Sequence, residues 1–183
     1  SAYLGGELDY QRARFTHGDF TELDAGFEFY APQTTEDASG RRLLVGWMGV
    51  PGGEEMRQPT VAAGWIHQMT CLRELSVRDG KLYQNPVTEL QALRGEAQGY
   101  QGSARQAPAL DAQRLELVIE SQGEVTLDFA DTLVLRWEAD ELRLARRRLE
   151  TGEWQYRYWA GAAHKLHILC DHSSVEIFIN DGE

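Results

Sequence analysis

The sequence has no run of roughly 20 consecutive apolar residues, the length a helix needs to cross a bilayer, and its first residues lack the charged and apolar regions of a signal peptide. It has no Asn-x-Ser/Thr sequon. Basic charge is also scarce. Against 29 Asp and Glu there are only 18 Lys and Arg, a formal charge of −11, and that field repels a phosphate backbone, which excludes a dedicated nucleic-acid binder. Cysteine is nearly absent. Cys71 and Cys170 lie far apart without a partner motif; one disulfide is conceivable, but two separate thiols in a reducing compartment fit better, and a cytoplasmic protein is expected. Core formers are plentiful. With 42% hydrophobic and 10% aromatic residues, collagen-like, mucin-like and disordered classes are excluded. A length of 183 residues suits one large all-β domain or two small ones.

Periodicity along the chain is almost entirely of period two. A single helix is expected, with Asn85 as N-cap, Pro86 at its first position, Leu90 and Leu93 three residues apart, and Gly95 as its stop. In the first half, Arg42 to Met48 is a short apolar run after the Ser39-Gly40 turn, followed by a Pro/Gly/Glu loop from Val50 to Pro59. Trp65 to Leu75 is a further extended stretch. The Asp79-Gly80 turn then returns the chain as Lys81-Leu-Tyr-Gln.

Residues 95–113 hold Gly, Gln, Ala and Ser with no sustained apolar pattern, so they read as a seam. Beyond it the alternation is clean: Leu115, Leu117 and Ile119; Val125, Leu127 and Phe129; Leu133, Leu135 and Trp137; Leu142 and Leu144; Leu166, Ile168 and Cys170; Val175, Ile177 and Ile179. Six or seven short strands with one apolar face each describe an antiparallel sandwich. Parallel βαβ architecture is excluded because no crossover helices separate the strands. The Asn180-Asp181-Gly182 run is a strong hairpin signal, and the sequence stops before a returning strand, so the sandwich is expected to be incomplete, with an open edge prone to pairing.

Several side-chain groups invite a chemical reading. His164, His167, Cys170 and His172 resemble metal ligands, but in a strand His167 points away from the others and His164 lies ~20 Å from Cys170, so no metal site is expected. Ser173 and Ser174 lack the strained elbow of a catalytic serine and read as a turn. Arg41, Arg42, Arg73 and Arg78 are expected to be solvated, and Arg146-Arg147-Arg148 to form an exposed face. Asp24 and Glu28 could be paired carboxylates of a glycosidase; beside a Gly turn, such side chains more often accept backbone amide hydrogens.

The motifs Leu23-Asp-Ala-Gly-Phe-Glu-Phe-Tyr-Ala-Pro-Gln-Thr34, Gly40-Arg-Arg-Leu-Leu-Val-Gly-Trp-Met-Gly49 and Gly64-Trp-Ile-His-Gln-Met-Thr-Cys-Leu-Arg-Glu-Leu75 resemble the later part of glycoside hydrolase family 32. Leu82-Tyr-Gln-Asn-Pro-Val-Thr-Glu-Leu90 and Ser173-Ser-Val-Glu-Ile-Phe-Ile-Asn-Asp-Gly182 match it in the same order, so the resemblance covers nearly the whole chain. Within the family, Gly5-Gly-Glu-Leu-Asp-Tyr and Met69-Thr-Cys-Leu-Arg-Glu-Leu look most like the bacterial sucrose-6-phosphate hydrolases.

The resemblance implies an all-β fold: the last blades of a five-bladed β-propeller with an exit helix over 1–94, a linker over 95–111, and an incomplete β-sandwich over 112–183. It implies retaining hydrolysis of terminal β-fructofuranosides, sucrose-6-phosphate or sucrose, with no cofactor. The family's Asn-Asp-Pro-Asn-Gly, Arg-Asp-Pro and Glu-Cys motifs, which carry the nucleophile, transition-state stabiliser and acid/base, do not occur here. No catalytic residue is therefore expected in this chain. Arg78-Asp79-Gly80 is only a decoy. Two departures are Glu28, where the family usually has Asp, and Cys71-Leu72, where it often has Leu-Pro. The resemblance nominates Trp47, framed by Gly46 and Gly49, as an apolar platform at the sugar site, with Tyr30 as companion. The expected partner is a small sugar, with neither nucleic acid nor membrane, and with a homodimer or edge-strand pairing as an option. Two rival readings stand beside this one. The sandwich could be a carbohydrate-binding or dimerising module without catalysis, a role suited to an exposed row of Tyr156, Tyr158 and Trp159, or those three could be core. Alternatively, the chain could be a remnant without a function of its own.

Overall fold

The computed structural model describes residues 1–49 and 52–183, with 49% of residues in strands and 9% in helical turns. Val50 and Pro51, at the start of the expected loop, lie outside the described residues. The rest of that loop winds into two 3-10 turns, Glu55–Arg57 and Pro59–Ala63.

Strands β1 (Ala2–Asp9) and β2 (Arg14–Glu22) form an antiparallel hairpin. Next come β3 (Tyr30–Glu36), β4 (Arg42–Met48), β5 (Gln68–Met69), β6 (Arg73–Arg78) and β7 (Lys81–Pro86). They make a sheet in the order β3-β4-β6-β7, with β5 paired to the end of β4. The expected Asp79-Gly80 turn joins β6 to β7, both residues at positive φ (49° and 78°), as a tight hairpin turn demands.

The expected helix is displaced and changed in type. Asn85 and Pro86 do not begin it; they end β7, opposite Glu74 and Arg73. Proline is tolerated there because an edge strand need not donate at that position. A six-residue 3-10 helix, Thr88–Leu93, follows with Val87 at its N-cap. Between residue 95 and the next strand the chain forms only the short turn Ala104–Gln106.

The remaining strands are β8 (Leu115–Glu120), β9 (Val125–Phe129), β10 (Leu133–Trp137), β11 (Glu141–Arg147), β12 (Trp154–Ala160), β13 (Lys165–Asp171) and β14 (Ser174–Ile179). They form two antiparallel sheets, β12-β11-β10-β9 and β14-β13-β8. The alternating apolar residues face one another across the two sheets. Leu166 and Ile168 are fully buried, packed with Val125, Leu135, Trp137 and Leu142, and the Trp137 indole N–H donates to Ala163 O at 3.2 Å. At ~1.5–3 kcal/mol per fully buried large side chain, this cluster is the main source of stability in the second half. The aromatic trio divides: Trp159 joins the core, whereas Tyr156 and Tyr158 are 43% and 55% exposed.

The three-stranded sheet is also covered on its second face around β14. Glu176 and Phe178, which alternation alone would send to solvent, are 8% and 5% exposed, because that face packs against the first half of the chain. The turn after β14 docks there as well. Gln84 N donates to Gly182 O at 2.8 Å, and the Asn85 amide donates to Asp181 O at 2.7 Å. Asn180, Asp181 and Gly182 all have positive φ. A Cβ on Gly182 would lie 2.4 Å from the backbone oxygen of Gln84.

Gly182→Ala should therefore cost at least about 2 kcal/mol in urea denaturation, adding a backbone clash to the strain of positive φ. Gly152→Ala, also at positive φ but with open space around it, should cost about 1 kcal/mol. Equal losses would mean that the turn is not docked on β7.

Candidate functional site

Trp47 is the penultimate residue of β4 and pairs with Tyr30 on one side and Met69 on the other. Cross-strand partners share a face. The Tyr30 ring lies edge-on to the indole at 6.1 Å between centroids, and the His67 imidazole lies edge-on at 4.8 Å. Trp47 is half-buried and Tyr30 is 63% exposed, so the pair has an apolar flank with one open side. The flanking glycines make room within the protein itself. A Cβ on Gly46 would strike the Phe29 ring at 2.4 Å, and one on Gly49 would strike the Trp47 ring at 2.3 Å. The room they leave is filled by the protein's own aromatic side chains.

His67 is the member that the sequence did not single out. It holds a positive φ of 62°, uncommon for a residue with a Cβ and often a mark of functional strain. Its Nε2 is buried without a hydrogen-bond partner among the described residues, 3.6 Å from a carboxylate oxygen of Glu55. The signal was weak: a histidine between Ile66 and Gln68 has no periodic signature.

Asp24 and Glu28 do not form a carboxylate pair; each is taken by an arginine. Arg73, expected in solvent, is 6% exposed. It donates from Nη1 to Asp24 (2.9 Å) and Gln84 (3.1 Å), and from Nη2 to Glu176 (2.7 Å). Its guanidinium also lies 5.0 Å from the Phe29 ring and 5.2 Å from the Phe178 ring. Burial disfavours its charge, but the facing carboxylates of Asp24 and Glu176 outweigh that and raise its pKa. Asp24 accepts the Gly26 N–H at 2.7 Å as well, the local role expected beside a Gly turn. Glu176 accepts the Cys71 N–H at 2.6 Å.

Glu28 is bound through both oxygens to Arg146, so Arg146 is not part of a solvated run. Its guanidinium lies 4.2 Å from the Phe27 ring. Arg147 packs over Trp154 at 4.4 Å, and Arg148 faces Glu54 at 3.6 Å. Arg41 likewise bridges Asp37 (2.8 Å) and Glu89 (2.6 Å).

The histidines of the second half do not converge. His167 Nε2 is 2.6 Å from a Glu116 oxygen, His172 is beside Asp171, and His164 is exposed. Among the described residues no three His, Cys, Asp or Glu side chains are placed to hold a metal ion. Ser173 lies in the β13–β14 turn and donates to Gln68 at 3.0 Å. Cys71 and Cys170 are free, as expected. Burial pushes the Cys71 thiol up to about 12, with Glu176 adding to the effect, and pushes Cys170 to about 11. Among the described residues, no helix is long and apolar enough to cross a membrane.

Comparison with known proteins matches residues 1–86 to the glycosyl hydrolases family 32 N-terminal domain and residues 89–183 to the family 32 C-terminal domain. The chain is 55% identical to the sucrose-6-phosphate hydrolase of Salmonella typhimurium, over all of this chain and 39% of that protein. It is 38% identical to that of Bacillus subtilis (strain 168), over all of this chain and 40% of that protein. It thus spans about two fifths of the length of these relatives. Among solved structures, sucrose-6-phosphate hydrolase from Lactobacillus gasseri aligns with a TM-score of 0.77 at 24% identity, over 99% of this chain and 41% of that one. A mutant Bombyx mori family 32 beta-fructofuranosidase in complex with sucrose aligns with a TM-score of 0.67 at 26% identity, over all of this chain and 40% of that one.

Two outcomes follow from the buried groups. Arg73→Met strands the carboxylates of Asp24 and Glu176 and should cost about 3–5 kcal/mol in chemical denaturation; a loss under about 1 kcal/mol would remove the triad from the account. Because both thiol pKa values are raised, neutral thiols persist at pH 8 and both cysteines should resist iodoacetamide in the native state. They should be alkylated after unfolding in urea, as read by mass spectrometry; rapid native labelling of Cys71 would contradict its burial.

Proposed function

The chain belongs to glycoside hydrolase family 32, and on that premise we propose that it is the C-terminal part of a cytoplasmic retaining hydrolase acting on sucrose-6-phosphate or sucrose. In this reading residues 1–94 are the last propeller blades, 95–111 a linker and 112–183 the sandwich. The catalytic carboxylates belong to the portion of the relatives that this chain does not span. A carboxylate there attacks the anomeric carbon of the fructosyl unit, and water resolves the fructosyl-enzyme, with no cofactor. This chain contributes one wall of the sugar site.

The observation that carries the reading is the placement of Trp47 between Tyr30 and His67 at the end of β4. An indole face braced on both sides can stack on the apolar C–H face of a sugar ring without reorganising on binding. Tyr30, with its hydroxyl on an exposed ring, is suited to hydrogen-bond a sugar hydroxyl. One observation favours a second role, a carbohydrate-binding or dimerising surface on the sandwich. Tyr156 and Tyr158 stack at 6.4 Å on the outer face of β12, an edge strand.

The test is kinetic. In the full-length enzyme, Trp47→Ala should lower kcat/KM about tenfold or more, a loss of ~1–3 kcal/mol, with the fold intact by circular dichroism. Tyr30→Phe should have a smaller effect. The 183-residue chain alone should hydrolyse neither sugar. Unchanged kinetics for Trp47→Ala would place the site elsewhere, and Tyr156→Ala with Tyr158→Ala abolishing sugar or partner binding would favour the second role.

A further inference from the structure

Tyr30 is poorly fixed by its own strand. It pairs with Trp47, but the register then shifts before Gln33, and Ala31 takes a positive φ of 44°. A bulge of this kind re-aims the neighbouring side chain and breaks the ladder that would otherwise hold it. The direction of Tyr30 is therefore set by the segment that precedes it, residues 23–29.

That segment is gripped from the sandwich. Arg146, on β11, binds Glu28 through both carboxylate oxygens, and both side chains are mostly buried (24% and 18% exposed). The Phe27 ring lies against two guanidinium groups, 4.2 Å from that of Arg146 and 4.9 Å from that of Arg157. Arg157, on β12, also donates from Nε to Gly26 O at 3.2 Å. At the start of the segment, Asp24 is anchored through Arg73 to Glu176 of β14. Three strands of the sandwich thus hold three consecutive residues and the aspartate before them, immediately upstream of Tyr30. A bidentate arginine–carboxylate pair fixes orientation as well as distance.

We propose that Arg146 is a positioning residue of the sugar site: through Glu28 and Phe27 it fixes the segment that delivers Tyr30 to Trp47, so the sandwich sets the affinity of the propeller site for its sugar. The inference rests on the assignment of Trp47 and Tyr30 to that site. Glu28, with one methylene more than the aspartate usual in the family, reaches an arginine on the sandwich, and the pair joins residues 118 apart in sequence.

The experiment uses the full-length enzyme with sucrose as the probe. Arg146→Gln should raise KM about fivefold while changing kcat less than about twofold, because ground-state placement is lost and the reacting groups are untouched. The exchanged pair Glu28→Arg with Arg146→Glu should recover at least about half of the lost kcat/KM. Arg143→Gln, on the outer face of the same strand, should behave as wild type. If Arg146→Gln fails to fold, Phe27→Leu replaces it, keeping the ion pair and removing the stacked ring, with the same rise in KM expected. A wild-type KM for Arg146→Gln or Phe27→Leu overturns the proposal while Trp47→Ala remains damaging. So does an equal effect of Arg143→Gln, or an exchanged pair no better than Arg146→Gln alone. If Trp47→Ala is itself silent, the sugar-site assignment falls and the positioning role falls with it.

Discussion

One buried guanidinium ties the two halves of this chain together. Arg73 sits on β6, yet its partners come from the loop before β3, from β7 and from β14. A buried cation is tolerable only where its donors are satisfied and its charge is met. Here two carboxylates meet it, and the Phe29 and Phe178 rings pack against it. The surplus negative charge is itself absorbed by backbone: Glu176 takes the Cys71 N–H and Asp24 takes the Gly26 N–H. Because the cluster holds only when all its members are present, the sandwich and the first sheet have one relative arrangement.

That constraint explains why the three-stranded sheet is apolar on one face and mixed on the other, although the second face is also covered around β14. Leu166, Ile168, Val175, Ile177 and Ile179 fill the sandwich. The opposite face presents Glu176 and Phe178 to the Arg73 cluster, with His167 and Glu116 nearby and Arg94 closing on Glu116. Polar contacts of this kind specify orientation more than they add stability, which comes from the sandwich core. The docked turn Asn180–Gly182 adds one backbone bond and one side-chain bond to β7 at the same junction.

The proposed sugar site sits beside this junction. Trp47 is fixed by ladder partners on both sides, whereas Tyr30 sits at a bulge and depends on what holds residues 23–29. Those residues are held by arginines distant in sequence. In this arrangement two strands of the sandwich, β11 and β12, grip the segment that leads into β3.

Much of the fold was legible because period two and turn chemistry are local. Most of the strands after residue 115 and the Asp79-Gly80 and Asn180-Asp181-Gly182 turns follow from neighbouring residues. Where local signals competed, they misled. Asn85-Pro86 carries a helix-start signature, but ladder pairing with Glu74 and Arg73 claims both residues. Strand β12 escaped the apolar alternation because Tyr156 and Tyr158 are exposed on one face while Arg157 interrupts the other, between Gln155 and Trp159. The family resemblance pointed to Trp47 and Tyr30, and the structure sets them side by side, with His67 as a third member that no pattern marked. By itself, the sequence determined an all-β chain with most strands of its sandwich and an acidic, core-rich composition. Only the tertiary structure decided which charges are buried. Arg73, Arg146 and Glu176 look like ordinary surface residues in sequence, and Asp24 and Glu28 like acceptors at a Gly turn, because the partner that draws each from solvent lies tens of residues away and is chosen by packing.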